Sequence, residues 1–174
     1  SFGLSIDFED PTLHIADLGQ GGTGLPDRSY YLDDAKKAQV LPLYQGHVAR
    51  MLGFLDYSEQ DAADAAARIV GLETELAKLQ KPPEEMRDPE KVYHRWDRKG
   101  LKKNSKLPWK QYFTALGAPD VDLINVSNPE FVEGLSAVIA AADPKTVKDY
   151  LRFYLISSAA SALSEDVVMA NFQF

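Results

Sequence analysis

The sequence predicts an all-α fold, a multi-helix, bundle-like domain entered through an irregular, glycine-rich amino-terminal segment. Apolar residues recur at steps of three and four along most of the chain after Leu32, which is the period of a helix with one buried face. Asp88-Pro89, Asn128-Pro129 and Asp143-Pro144 each place a capping side chain before a proline, the pairing that suits a helix start. Glycines and prolines disfavoured inside helices crowd the first thirty residues instead. The chain therefore divides into an entry segment, residues 1–32, and a helical part, residues 33–174. At 174 residues, 45% hydrophobic, 26% charged and without cysteine, it has the composition of a globular domain. A chain of this length buries roughly 70% of its unfolded surface, enough for a core without disulfide or zinc staples.

Each element has its own signal. Residues 1–30 read as irregular or extended, with Pro11, Pro26 and the cluster Gly19, Gly21, Gly22, Gly24. Asp33 caps a first helix, and Pro42 predicts a kink or restart within it, because proline lacks a backbone donor and crowds the preceding turn. Leu41, Tyr44, Val48, Met51, Leu52 and Leu55 then form one buried stripe. Ser58 with Asp61 resembles a capping box opening the next helix, whose stripe is Ala62, Ala65, Ile69, Leu72, Leu76 and Leu79, ending at Pro82-Pro83. Under three heptads long, it is a bundle helix rather than a coiled coil.

After Pro108, a helix with Trp109, Tyr112, Phe113 and Leu116 ends at Gly117, and residues 121–126 form a short extended stretch. The helix after Pro129 offers Phe131, Val132, Leu135, Val138, Ile139 and Ala142 as its apolar face. The helix after Pro144 offers Val147, Tyr150, Leu151, Tyr154, Leu155, Ser158, Ala159 and Ala162, with Phe153 and Ile156 off the stripe; apolar on more than one side, it is expected to be central. Val167, Val168, Phe172 and Phe174 load the carboxyl end with apolar area, which implies a cover supplied by a larger protein or, alternatively, a terminus packed onto its own core.

Charge and motifs exclude more than they nominate. A net charge of −7 argues against nucleic acid as the main partner. Residues 87–110 depart from it, with nine Lys and Arg against Asp88, Glu90 and Asp97. That segment reads as a solvated, mobile connection, or alternatively as the docking surface of a stand-alone helical interaction module. No apolar run approaches the roughly 20 residues of a bilayer span, and no charged-then-apolar leader opens the chain, so no membrane segment or secretory precursor is expected. Gly19-Gln20-Gly21-Gly22-Thr23-Gly24 formally matches a dinucleotide fingerprint, but Leu25-Pro26-Asp27 follows where a helix should open, so the reading is a glycine loop. His14, His47 and His94 lack the spacing of paired zinc ligands, and Ser157-Ser158 lacks a nucleophile elbow. No catalytic residue, metal ligand or substrate-binding residue is nominated.

The run Asp17-Leu18-Gly19-Gln20-Gly21-Gly22-Thr23-Gly24-Leu25-Pro26-Asp27-Arg28-Ser29-Tyr30-Tyr31-Leu32 resembles a stretch of the neprilysin and endothelin-converting-enzyme family of zinc metallopeptidases, where Gly-x-Gly-Leu-Pro-x-Arg-x-Tyr-Tyr precedes a series of helices. Ile69 to Ala77, Arg87-Asp88-Pro89 through Tyr93, Trp109 to Phe113 and Lys148 to Leu151 are similar too, in the same order. Thr23, His94 and Pro108 depart from the family pattern.

The resemblance implies the helical, chamber-capping lobe of a two-lobed zinc metalloendopeptidase acting on peptides. The family's His-Glu-x-x-His zinc motif does not occur here. Zinc is therefore expected in a catalytic lobe of the same polypeptide, with no cofactor in this chain, and the fragment alone is expected to be inactive. Absence of cysteine weighs against a disulfide-rich animal ectodomain, so the implied parent is bacterial, periplasmic or secreted, with the cytoplasm also open.

Overall fold

A computed structural model describes residues 1–174. In chain order the elements are β1 (Phe2–Ile6), β2 (His14–Leu18), α1 (Ser29–Leu32), α2 (Asp34–Gly53), α3 (Glu59–Leu79), α4 (Pro83–Met86), α5 (Pro89–Val92), β3 (Arg95–Trp96), α6 (Arg98–Asn104), α7 (Trp109–Ala115), β4 (Ile124–Val126), α8 (Pro129–Ala141), α9 (Pro144–Ala159) and α10 (Glu165–Phe172). Helices dominate, but the fold is not all-α. Four short strands make one mixed sheet in the order β1-β2-β4-β3. β1 runs antiparallel to β2, β2 parallel to β4 with Ala16 opposite Ile124, and β3 antiparallel to β4. The extended character expected before residue 30 and at 121–126 is real. What the sequence pattern lacked was any sign that segments a hundred residues apart pair.

Local chemistry sets the helix starts as expected. Asp33 accepts from Lys36 N–H at 3.0 Å, Ser58 from Asp61 N–H at 3.1 Å, and Asn128 from Phe131 N–H at 3.1 Å. Asp88 and Asp143 take the Glu90 and Lys145 N–H groups, each two residues on. Pro42 neither breaks nor restarts α2, which runs unbroken from Asp34 to Gly53. The carbonyl deprived of its donor belongs to Ala38, which is exposed, so water serves it, while Leu41, Tyr44 and Val48 anchor both sides of the proline in the core.

Two cores result. The larger lies among α1, α2, α3, α9 and α10, with Tyr31, Tyr44, Met51, Ile69 and Phe153 at its centre. The smaller lies under the sheet, where Leu101, Trp109 and Phe113 pack on Leu18, Ile124 and Val126. Residues 87–110 are thus no mobile connection but a folded part of this second core. Leu55 leaves its expected stripe and is 37% exposed. In α8 only Phe131 and Val132 are buried, and Ile139 is 43% exposed. At the carboxyl end Val167 is buried and the Phe174 ring stacks on His47 at 4.8 Å, while Phe172 lies open.

The buried face of α9 is turned from the expected one, of which Tyr150 and Tyr154 stay half-buried against the larger core. Thr146, Asp149, Phe153 and Ile156 point inward, whereas Leu151 and Leu155 are 60% and 69% exposed. Both faces are apolar, so periodicity alone did not choose; packing against Tyr44 and His47 did. Phe153→Ala should therefore cost about 3–5 kcal/mol and lower Tm by roughly 10 °C, and Leu155→Ala should stay within about 0.5 kcal/mol of the parent. Thermal and denaturant unfolding of the two variants checks the assignment, and similar losses in both would contradict it.

Candidate functional site

The glycine-rich run and the two tyrosines after it form a strap laid across α3. Leu25 N–H donates to the Tyr31 hydroxyl at 3.0 Å, which donates in turn to Glu73 Oε2 at 2.7 Å. Glu73 sits on the inner face of α3, completely buried, one turn beyond Ile69. Its Oε1 also accepts from the hydroxyls of Tyr44 on α2 and Tyr154 on α9, both at 3.0 Å. One carboxyl thus joins four elements. Tyr150 donates to the Gly22 carbonyl at 3.0 Å. Gly24 passes so close to Tyr44 that a Cβ there would collide with the hydroxyl, which makes glycine obligatory.

The rest of the strap is held by amides. Gln20 pairs with Lys81 backbone in both directions, at 2.8 and 3.0 Å, and its Oε1 also accepts from Asn128 at 2.8 Å. Gln80 donates to the Gly21 carbonyl at 3.3 Å and to Thr23 at 3.2 Å. The polar groups of the loop are therefore turned onto the protein itself, and no helix begins at Gly24; the structure agrees with reading it as a glycine loop rather than a nucleotide cradle.

Burial drives the Glu73 carboxyl up from its ordinary 4.5, and the three tyrosine hydroxyls pull it back only partly. Burial, then the Glu73 charge, raises the Tyr31, Tyr44 and Tyr154 phenols and pushes Tyr150 up to about 12, so all four remain donors. A second buried acid, Asp149, ties α9 to the chain around α3. Burial raises its pKa, but the Tyr57 hydroxyl at 2.5 Å, Arg68 at 2.9 Å and Lys145 outweigh that and leave it lowered. Nothing in this arrangement is a nucleophile beside a base. It is a device for rigidity.

Two openings flank the strap. A polar cavity of 600 Å³ is bounded by Arg28, Lys78, Lys81, Lys91 and His94, with Glu85 and Glu130 on its wall. An apolar cleft of 260 Å³ lies between α8 and α9, lined by Leu76, Phe131, Leu135 and Tyr150 and reaching Gly22. Within the basic segment 87–110, two of the nine cations are engaged by neighbours outside it. Arg95 lies 3.6 and 3.7 Å from Asp7 and Glu9, and Arg98 sits over the Phe113 ring. The histidines stay apart: His14 is exposed on β2, His47 is buried against Phe174, and His94 Nδ1 contacts the Val126 carbonyl at 3.0 Å. No three His, Cys, Asp or Glu side chains converge as metal ligands, so these residues do not fit a zinc centre. No helix is long and apolar enough to cross a membrane.

The family model of peptidase family M13, in its amino-terminal part, matches residues 1–174. The chain belongs to peptidase family M13. Among M13 relatives, endothelin-converting enzyme 1 of Rattus norvegicus is 25% identical over 177 residues, spanning 98% of this chain and 23% of that protein. The endothelin-converting enzyme homolog of Locusta migratoria is 27% identical over 180 residues, 95% of this chain and 24% of that one. The zinc metalloprotease Zmp1 of Mycobacterium tuberculosis, in its open state, superposes with a TM-score of 0.94 at 32% identity, over 99% of this chain and 27% of its own. PepO from Lactobacillus rhamnosis, at 18% identity and a TM-score of 0.80, shares the fold. The chain spans about a quarter of the length of the M13 relatives it matches. Of the motifs that carried the family resemblance, residues 17–32 are the strap and Ile69–Ala77 and Lys148–Leu151 supply partners that hold it, while Trp109–Phe113 belongs to the second core.

Missing from the sequence reading was Glu73, the residue on which the strap closes. Its signal was present: it lies four residues after Ile69 and three before Leu76, so it occupies the apolar stripe in which Leu72 was placed. Tyr31→Phe should leave Leu25 N–H without its partner and remove one donor from Glu73, at about 1–3 kcal/mol and roughly 2–12 °C in Tm; thermal unfolding checks it. The folded chain holds the Glu73 proton more tightly than the unfolded chain. Its contribution to stability is full below 4.5 and falls as pH rises towards the raised folded value. The stability of the parent relative to Glu73→Gln, followed by urea unfolding from about pH 4 to about pH 8, should accordingly fall with pH. A flat or rising difference would contradict it.

Proposed function

We propose that this chain is the helical, chamber-capping region of a zinc-dependent metalloendopeptidase that acts on peptides. Zinc and the hydrolytic residues then belong to a catalytic lobe of the same polypeptide, outside these 174 residues. The single observation that carries the reading is the match along the whole chain to one peptidase family, together with a fold shared with Zmp1 over 99% of this chain but only 27% of that protease. The rigid strap supports it, since a wall that admits or excludes peptides must hold its shape. So do the exposed Leu151 and Leu155 on α9, an apolar face that a second lobe or a substrate would cover.

In this reading the chain contributes positioning and exclusion, and cleavage is absent when it stands alone. Purified as 174 residues, it should bind no stoichiometric zinc by elemental analysis and show no chelator-sensitive hydrolysis of unstructured peptides. One zinc per chain, or hydrolysis abolished by a chelator, would overturn the assignment. Joined to a downstream segment bearing a His-Glu-x-x-His helix, the protein should gain both.

A further inference from the structure

We infer that the outer edge of β1 is a docking site for an extended peptide, which adds to the sheet as a fifth strand. The pairing geometry supplies the first argument. Ser1 and Gly19 exchange both of their backbone hydrogen bonds at 2.9 Å, and Asp7 N–H donates to Leu13 at 3.0 Å in the same register. In an antiparallel pair, hydrogen-bonded and non-hydrogen-bonded positions alternate. Gly3 and Ser5 therefore face β2, and the N–H and C=O groups of Phe2, Leu4 and Ile6 point away from it. β1 is the terminal strand of the sheet, and none of those groups has a partner.

Side chains supply the second argument. Phe2, Leu4 and Ile6 share one face of the strand. Phe2 packs on Tyr112 and Phe113, but Leu4 and Ile6 run past the second core and are 73% and 63% exposed. Exposed sheet edges are ordinarily guarded by charge, proline or brevity. The opposite edge obeys: β3 is two residues long and carries Arg95. β1 has five residues, Phe-Gly-Leu-Ser-Ile, with no guard at all. An unguarded edge with outward backbone groups and an apolar row beside it is complementary to an extended polypeptide whose side chains alternate apolar and polar. The inference rests on the peptide substrate class proposed above and adds how such a chain would be gripped, by its backbone and without regard to most of its side chains.

The test uses the 174-residue chain and a capped seven-residue peptide of alternating Val and Thr, so zinc and hydrolysis play no part and its outcome is separable from that of the peptidase reading. In the free protein, amide exchange should be fast at Phe2, Leu4 and Ile6 and slow at Gly3 and Ser5. Saturating peptide should slow the first three at least tenfold and leave the other two unchanged. Leu4→Pro removes an outward donor while sparing every β1–β2 bond, and should weaken binding at least tenfold. Ile6→Lys, at an exposed position that leaves folding intact, should weaken it as well. Unchanged exchange at the three amides, or binding indifferent to both variants, would overturn the proposal. Self-association without peptide that Leu4→Pro abolishes would overturn it too, by assigning the edge to a second copy.

Discussion

The structure depends on one buried carboxyl. Glu73 lies in the middle of the longest helix, where an unpartnered acid would be costly, and three tyrosine hydroxyls from α1, α2 and α9 meet it there. Because each donor comes from a different element, the carboxyl fixes their relative placement as no pair of apolar side chains does. Tyr31 carries the restraint onward to Leu25, and Gly24 comes within reach of Tyr44 only because it has no side chain. The residues most useful for recognising the family are thus explained by geometry rather than chemistry: they bind one another.

That arrangement also accounts for the character of the molecule. Its other buried acids are also tied to the fold, with Asp149 held by Tyr57 and Arg68 and Asp7 held by Tyr93 at 2.6 Å. Open beside them are the polar cavity next to the strap, the apolar faces of α8 and α9, the cleft between them, and the edge of β1.

Local features were legible in the sequence and distant ones were not. The caps at Asp33, Ser58, Asp88, Asn128 and Asp143 were readable because cap and helix lie within three residues of each other. The sheet was not, because β2 and β4 are short and meet across a hundred residues of chain, with pairing decided by the second core. The inward face of α9 was obscured by having apolar residues on more than one side, with Leu151 and Leu155 flanking the aromatic ones. Glu73 was passed over because a charged residue on an apolar stripe is ordinarily read as a break in it. Here that break is the anchor.

The central claim is that the tyrosines act through one shared acceptor, and a double-mutant cycle of Tyr31→Phe and Tyr154→Phe, measured by equilibrium urea unfolding, tests it most directly. Two hydroxyls on one buried carboxyl should be coupled by about 0.5–3 kcal/mol. Losses that add to within roughly 0.3 kcal/mol would show independent contacts and contradict the account.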